Sequence, residues 1–206
     1  MSHTTISPAI FYWGTPVVLV TTQNEDGTPN TGPISSAFWL GNRCMLGLEA
    51  NSQTTINLLR TKECVLNLPT DDMVPQVNAL AHTTGSLPIP DIKITPGYWY
   101  KDKFTTANLT PQLSDLISPP RILECAAQIE YNLVGQHKII SDLSGPVKGF
   151  TIAIKLKVLR THVVDSLRLK GYENRIDPDH LQGLEKKKVE STLAEIKEEL
   201  YRLPDN

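Results

Sequence analysis

Cysteine is scarce: three residues, at 44, 64 and 125, with no C-x-x-C pair among them. Each lies in an apolar run, so buried free thiols and a reducing cytoplasm are the expectation. No uninterrupted apolar stretch approaches the ~20 residues of a bilayer span. The opening M-S-H-T-T-I-S-P lacks a basic region followed by an apolar core. Neither a membrane segment nor a secretory signal is therefore expected. Charge of one sign is lacking too: 20 Lys and Arg stand against 22 Asp and Glu, a net of -2. Nothing there draws a polyanion, which disfavours nucleic acid and anionic membrane as partners. The histidines at 3, 82, 137, 162 and 180 form no H-x-x-H or H-x-x-x-H pattern, so no metal site is assigned. No Ser/His/Asp or Cys/His constellation is visible, and no catalytic side chain is assigned. A G-x-G-x-x-G after a strand, the usual cradle for a dinucleotide, is missing as well.

What is there reads as one well-buried domain, since 206 residues suffice for one core and not for two large ones. Val17–Thr22 is β-branched and apolar, a strand buried on both faces, and Asn24–Gly27 supplies a turn with Asp-Gly suited to positive φ. Thr31–Phe38 and Cys44–Glu49 follow as further antiparallel strands, then a short helix over Thr54–Lys62 and a strand over Cys64–Leu68. Asp71-Asp72 precede an amphipathic helix in which Pro75 is tolerated if it falls in the first turn. From Thr83 to Pro120 six prolines punctuate a patternless stretch holding Tyr98, Trp99 and Tyr100. Such a stretch either covers a binding site or is a surface excursion anchored by its aromatics. Alternation resumes in Leu123–Leu133 and Phe150–Val158, with Gln136–Ser141 as a shorter strand between them. With at least six strands and few helices, the expected class is mainly β, and closure into a barrel removes exposed edges. In the tail, Val189, Leu193, Ile196, Leu200 and Leu203 step by four and three, one apolar stripe on a C-terminal amphipathic helix. It is expected to pack on the barrel or on a partner subunit.

The most informative stretch is Asn30–Asn57. Two clusters of small hydroxyl and amide residues, N-T-G-P-I-S-S and A-N-S-Q-T-T-I-N, flank one strand. The second cluster opens a helix whose free N–H groups and dipole favour a phosphate. An ordinary loop with an N-cap at Ser52 or Thr54 is the plainer alternative.

N-T-G-P-I-S-S-A-F resembles the N-x-A-P-F-S-x-F signature of flavin reductase-like proteins, and A-N-S-Q-T-T-I-N-L-L is similar to their K-D-T-x-x-N-I motif. The resemblance continues through D-K-F-T-T-A-N-L-T-P (Asp102–Pro111), S-P-P-R-I-L-E-C (Ser118–Cys125), R-T-H-V (Arg160–Val163) and R-I-D-P-D-H-L (Arg175–Leu181). It implies a six-stranded antiparallel Greek-key split β-barrel with peripheral helices. Residues 1–182 would form the FMN-binding domain and 183–206 the terminal helix. It further implies a homodimer with FMN in a groove at the interface. Carried over, Thr31, Gly32, Pro33, Ile34, Ser35 and Ser36 would run beside the isoalloxazine ring. Ala50, Asn51, Ser52, Thr54 and Asn57 would lie at the phosphate end. Gly32 stands where the motif has alanine, Ile34 where it has phenylalanine, and Ser52-Gln53 where it has lysine-aspartate. Losing that lysine removes a charge that would have met the phosphate.

The activity so implied is hydride transfer from NADH or NADPH, a transient co-substrate, to flavin, then onward to a small-molecule electron acceptor. An FMN carrier without nicotinamide activity and a cofactor-free dimeric interaction module are the alternatives. His82, His137 and Trp99 are further candidates to line the site.

Overall fold

The computed structural model describes residues 5, 16–94, 97–100, 102–145, 148–172 and 174–177. The expected terminal helix at 184–203 lies outside them, as does the whole of 183–206.

Short β-branched and alternating runs form an antiparallel sheet of seven strands. Their chain order is β1 (Val18–Gln23), β2 (Pro29–Ile34), β3 (Ala37–Leu40), β4 (Arg43–Glu49), β5 (Glu63–Leu68), β10 (Ala127–Lys138) and β11 (Thr151–Val163). In space the order is β2-β1-β5-β10-β11-β4-β3. The two edge strands, β2 and β3, are consecutive in the chain and separated only by Ser35 and Ser36. The sheet therefore curls until its edges nearly meet, as edge protection requires. At least six strands were expected and this sheet has seven, with Ser35-Ser36 breaking what the pattern reads as one strand into β2 and β3. Gln136–Ser141 is not separate either, since β10 continues to Lys138 with irregular register near Glu130 and Leu133.

Inward residues of the strands (Val18, Val20, Cys44, Leu46, Leu66, Tyr131, Ile154 and Leu156 among them) make the interior core. There the Trp39 indole donates to the Tyr131 hydroxyl at 2.7 Å. Helix α1 (Gln53–Thr61) closes one end of this core with Leu58, and left-handed Lys62 stops it, its N–H bonded to Leu58 O.

A second core sits outside the sheet. Leu19 packs with Met73, Leu80, Phe104, Ala107, Leu109, Ile122 and Cys125. Phe104, Ala107 and Leu109 come from the segment expected to lack pattern, and Met73 and Leu80 from the expected amphipathic helix before it. The expected helix is α2 (Val74–Ala79, with Pro75 in its first turn); the segment after it holds β6 (Thr83–Thr84), α3 (Asp91–Ile94), β7 (Trp99–Tyr100), α4 (Lys103–Thr106) and β8 (Pro111–Gln112), and β9 (Arg121–Ile122) follows. Burying Phe104 alone contributes about 1.5–3 kcal/mol, and that anchor holds the neighbouring Lys103 in place. Among the described residues, no helix is long and apolar enough to cross a membrane.

Candidate functional site

Serine at position 52 sets the start of α1. Its Oγ accepts the Thr55 N–H at 3.2 Å, and its own N–H is bonded to Glu49 O. The first helical bond runs from Ile56 N to Ser52 O, and among the described residues the amides of Gln53 and Thr54 have no acceptor. Beside this open end stand three side chains. Thr54 Oγ1 accepts from Asn30 Nδ2 at 3.2 Å, which leaves its hydroxyl proton to give. Gly32 faces the same place: a Cβ there would lie 3.8 Å from Thr54 Oγ1 and 3.9 Å from Lys103 Nζ. The missing side chain is what lets the three approach.

Lys103 is the charged member. It is buried, and burial, reinforced by the nearby Lys93 ammonium, brings it down to about 8. At neutral pH it is still charged, and among the described residues no carboxylate pairs with it. Asp102, next in the chain, is occupied capping α4 through the N–H groups of Phe104 and Thr105. An unpaired buried ammonium costs several kcal/mol, which an arriving anion would offset. Three buried oxygens in these segments also lack partners: Asn30 Oδ1, Thr31 Oγ1 and Ser86 Oγ. Gly85 closes the wall so tightly that a Cβ would collide with Asn30 Oδ1 and lie 3.1 Å from Gln53 Cγ.

The residues expected from the sequence separate into groups. Gly32 and Thr54 are together at the open helix end. Thr31 is buried on β2 opposite Thr21, while Pro33 and Ile34 pair with Leu19 and Val18. Ser35 and Ser36 are exposed between the sheet edges, and Ser36 O accepts the Gly47 N–H at 2.8 Å. Ala50 donates to Phe150 O, and Asn51 is exposed just before the helix. Asn57 is already fully engaged: Nδ2 donates to Thr22 Oγ1 and Asn24 Oδ1, and Oδ1 accepts from Gln53. It ties α1 to β1. His82 stacks on Trp99 with ring centroids 6.0 Å apart, whereas His137 is exposed on β10 opposite Ala153. Lys103, Asn30, Gly85 and Ser86 were not singled out in the sequence. Lys103 lies inside D-K-F-T-T-A-N-L-T-P, where nothing in the local pattern announces its burial.

Other motif residues are structural. Glu130, fully buried, accepts the N–H groups of Asp115 and Leu116 and lies 2.7 Å from His162 Nε2. Asp115 in turn holds Arg160 at 2.6 Å. The ligating atoms of Asp115, Glu130 and His162 lie within 4.8 Å of one another, but these bonds already occupy their oxygens. The group is a strut fastening residues 113–118 to β10 and β11.

The architecture is that of a mainly β protein whose sheet edges are brought together beside an open helix end and a buried cation. The family described as "Flavin reductase like domain" matches residues 12–168. The chain belongs to that family. It is 38% identical over 174 residues to YdfE of Bacillus subtilis (strain 168), covering 84% of this chain and 80% of that one. Its fold is similar to that of flavoredoxin of Desulfovibrio vulgaris (Miyazaki F), with a TM-score of 0.68 at 17% identity, covering 88% and 85% of the two chains. Nitrilotriacetate monooxygenase component B from Bacillus cereus gives 0.66 at 21%, covering 89% and 90%. A split-barrel protein of Shewanella frigidimarina NCIMB 400 gives 0.62 at 17%, covering 83% and 75%.

Proposed function

We propose that the chain is an FMN-binding, NAD(P)H-dependent flavin reductase whose cofactor phosphate sits at the N-terminus of α1. One observation carries this reading: Lys103, a buried lysine with no carboxylate partner among the described residues, stands beside Thr54 and two helix amides that have no acceptor among them. A phosphate dianion supplies the counter-charge and the acceptors this corner lacks. The unpartnered oxygens of Asn30, Thr31 and Ser86 suit a polyol, whose hydroxyls donate as well as accept. Thus Lys103, Thr54 and the Gln53 and Thr54 amides would hold the phosphate, and Asn30 and Ser86 the adjoining ribityl hydroxyls. Lys103 takes the part of the lysine that Ser52-Gln53 displaced from the family motif. The segment Gly32–Ser36 would run beside the ring, and Ala50 and Asn51 would border it.

Bound FMN would supply the redox chemistry, passing reducing equivalents from NADH or NADPH to a small-molecule acceptor. The residues of this chain bind and orient; none is assigned a proton or a covalent step. Homodimerisation, with the groove near the interface, belongs to the same reading, as does a cytoplasmic location. Buried free thiols at Cys44, Cys64 and Cys125 accord with the latter.

Titration of the purified protein with FMN, followed by NADH and NADPH oxidation in its presence, tests the proposal. Saturable binding with turnover is the expected result. Binding without turnover on either nucleotide would leave an FMN carrier, and no binding would leave a cofactor-free module.

A further inference from the structure

A buried lysine that lacks a counter-ion can lose its charge by covalent chemistry as well as by pairing, and the start of α1 is built to hold one such product. Helices α1 and α4 both pack against β2. On that strand Gly32 leaves a gap that a Cβ would fill, 3.9 Å from Lys103 Nζ and 3.8 Å from Thr54 Oγ1. Lys103 is only 8% exposed. Among the described residues no carboxylate neutralises it, since Asp102 caps α4 and Glu49 lies 4.0 Å from Lys93. The neighbouring groups at the helix start are donors. The Gln53 and Thr54 amides have no acceptor among the described residues, and the Thr54 hydroxyl, accepting from Asn30, keeps its proton to give.

Burial and the Lys93 ammonium both oppose charge on Lys103 and bring it down to about 8. Desolvation beside a second cation is the setting that turns a lysine into a nucleophile, because part of it is unprotonated near neutral pH. An electrophile small enough for so closed a corner, and converted by an amine into an anion, is carbon dioxide. The Nζ lone pair of the neutral amine forms a bond to the carbon, one C=O π pair moves onto oxygen, and one N–H proton leaves to solvent. The product is a carbamate, N–COO⁻, and nothing is oxidised or reduced. That step inverts the local electrostatics. Amide N–H groups, a hydroxyl proton and the helix dipole all disfavour an ammonium and all favour a carboxylate. Lys93 changes from a repelling neighbour into an attracting one.

We propose that Lys103 is a carbon dioxide-binding residue, carbamylated on Nζ in the flavin-free protein. The Gln53 and Thr54 amides and the Thr54 hydroxyl hold the carbamate. Resting on the reading that the FMN phosphate meets the Lys103 ammonium, carbamate and FMN exclude each other, so dissolved carbon dioxide opposes flavin loading.

The test incubates flavin-free protein with isotopically labelled bicarbonate. The adduct is read by carbon NMR and, after alkylation of the carbamate to a stable ester, by peptide mass. Wild type should carry a carbamate on the peptide holding Lys103. Lys103→Arg should lack it, since a guanidinium keeps the charge but does not add carbon dioxide. No adduct at Lys103 in the wild type, or adducts confined to the α-amino group and exposed lysines, overturns the proposal. At constant ionic strength, bicarbonate should raise the apparent dissociation constant for FMN severalfold in the wild type and leave it constant in Lys103→Arg. An adduct on Lys103 that saturating FMN leaves in place upholds the modification and overturns the phosphate reading, so the two failures are distinct.

Discussion

Asn30 Nδ2 donates to Thr54 Oγ1 across 3.2 Å and, at the same distance, to Thr22 Oγ1. The carboxamide therefore joins β1, β2 and the first turn of α1 while fixing which way the Thr54 proton can point. If that proton meets the FMN phosphate, Thr54→Ala removes one charge-assisted bond and weakens FMN by about 1.5–3 kcal/mol. Thr54→Ser should restore most of the loss. Isothermal titration of both variants reads the difference; full affinity in a folded Thr54→Ala protein would move the phosphate elsewhere.

Lys103 predicts opposite pH trends for stability and for binding. It titrates at about 8 in the fold, lowered first by burial and then by Lys93, against the usual lysine value of about 10.5. That difference disfavours the charged form by about 3 kcal/mol. Below pH 8 the group is charged in both folded and unfolded chains, and the full penalty applies. Between 8 and 10.5 the unfolded chain holds the extra proton, so stability of the flavin-free protein should rise with pH. FMN affinity should fall over the start of the same range, as the ammonium is lost. Lys103→Met should abolish both trends, with a flavin-free protein more stable at pH 7 and a much weaker FMN site. Denaturant melts and flavin titrations from pH 6 to 10.5 check it.

Glu130 predicts the acid limit. Burial would raise its carboxyl, but the Asp115 amide, His162 and the Leu116 amide together hold it below the usual range. Its contribution is complete above the unfolded value of about 4.3 and is lost as pH falls through the lower folded one. Glu130→Gln should cost about 1–3 kcal/mol at pH 7, because an amide N–H₂ then faces a backbone N–H that needs an acceptor. Its unfolding free energy should also change less than the wild type's between about pH 5 and pH 3.

Gly85 predicts a steric effect on binding. An added methyl would displace the Asn30 carboxamide and crowd Gln53. Gly85→Ala should cost about 1–3 kcal/mol of stability and weaken FMN through the disturbed Asn30–Thr54 bond. Gly27, with nothing within 4 Å of its would-be Cβ, sits at φ +83° and is the control: Gly27→Ala should strain its turn and leave FMN affinity alone.

Local pattern made much of this architecture legible. Val17–Thr22, Cys44–Glu49, Thr54–Lys62 and Cys64–Leu68 each fall within a residue or so of β1, β4, α1 and β5. Periodicity and a cap suffice for such elements, because each buries its own side chains in the nearest layer. The helix end was legible for the same reason: Ser52 and Thr54 are capping residues in any context. Lys103 was not, since a lysine inside D-K-F-T-T looks solvated until Phe104 and Leu109 are known to bury the turn around it. Nor was the engagement of Asn57, which depends on Thr22 and Asn24 arriving from a distant strand. The stretch after Thr83 lacked period because its elements are two to four residues long, too short to repeat one.

Ser35 and Ser36 alone bridge the first and last strands of the sheet order. A single added residue at that junction would reverse the inside-outside alternation of everything following on β3. Trp39 would turn away from Tyr131 while Phe38 and Leu40 turned inward. Length at this joint is thus constrained twice over, by the hydrophobic interior on one side and by whatever rests against Gly32–Ser36 on the other. Natural variation in the chain should place its insertions in the β10–β11 connection long before it places one here.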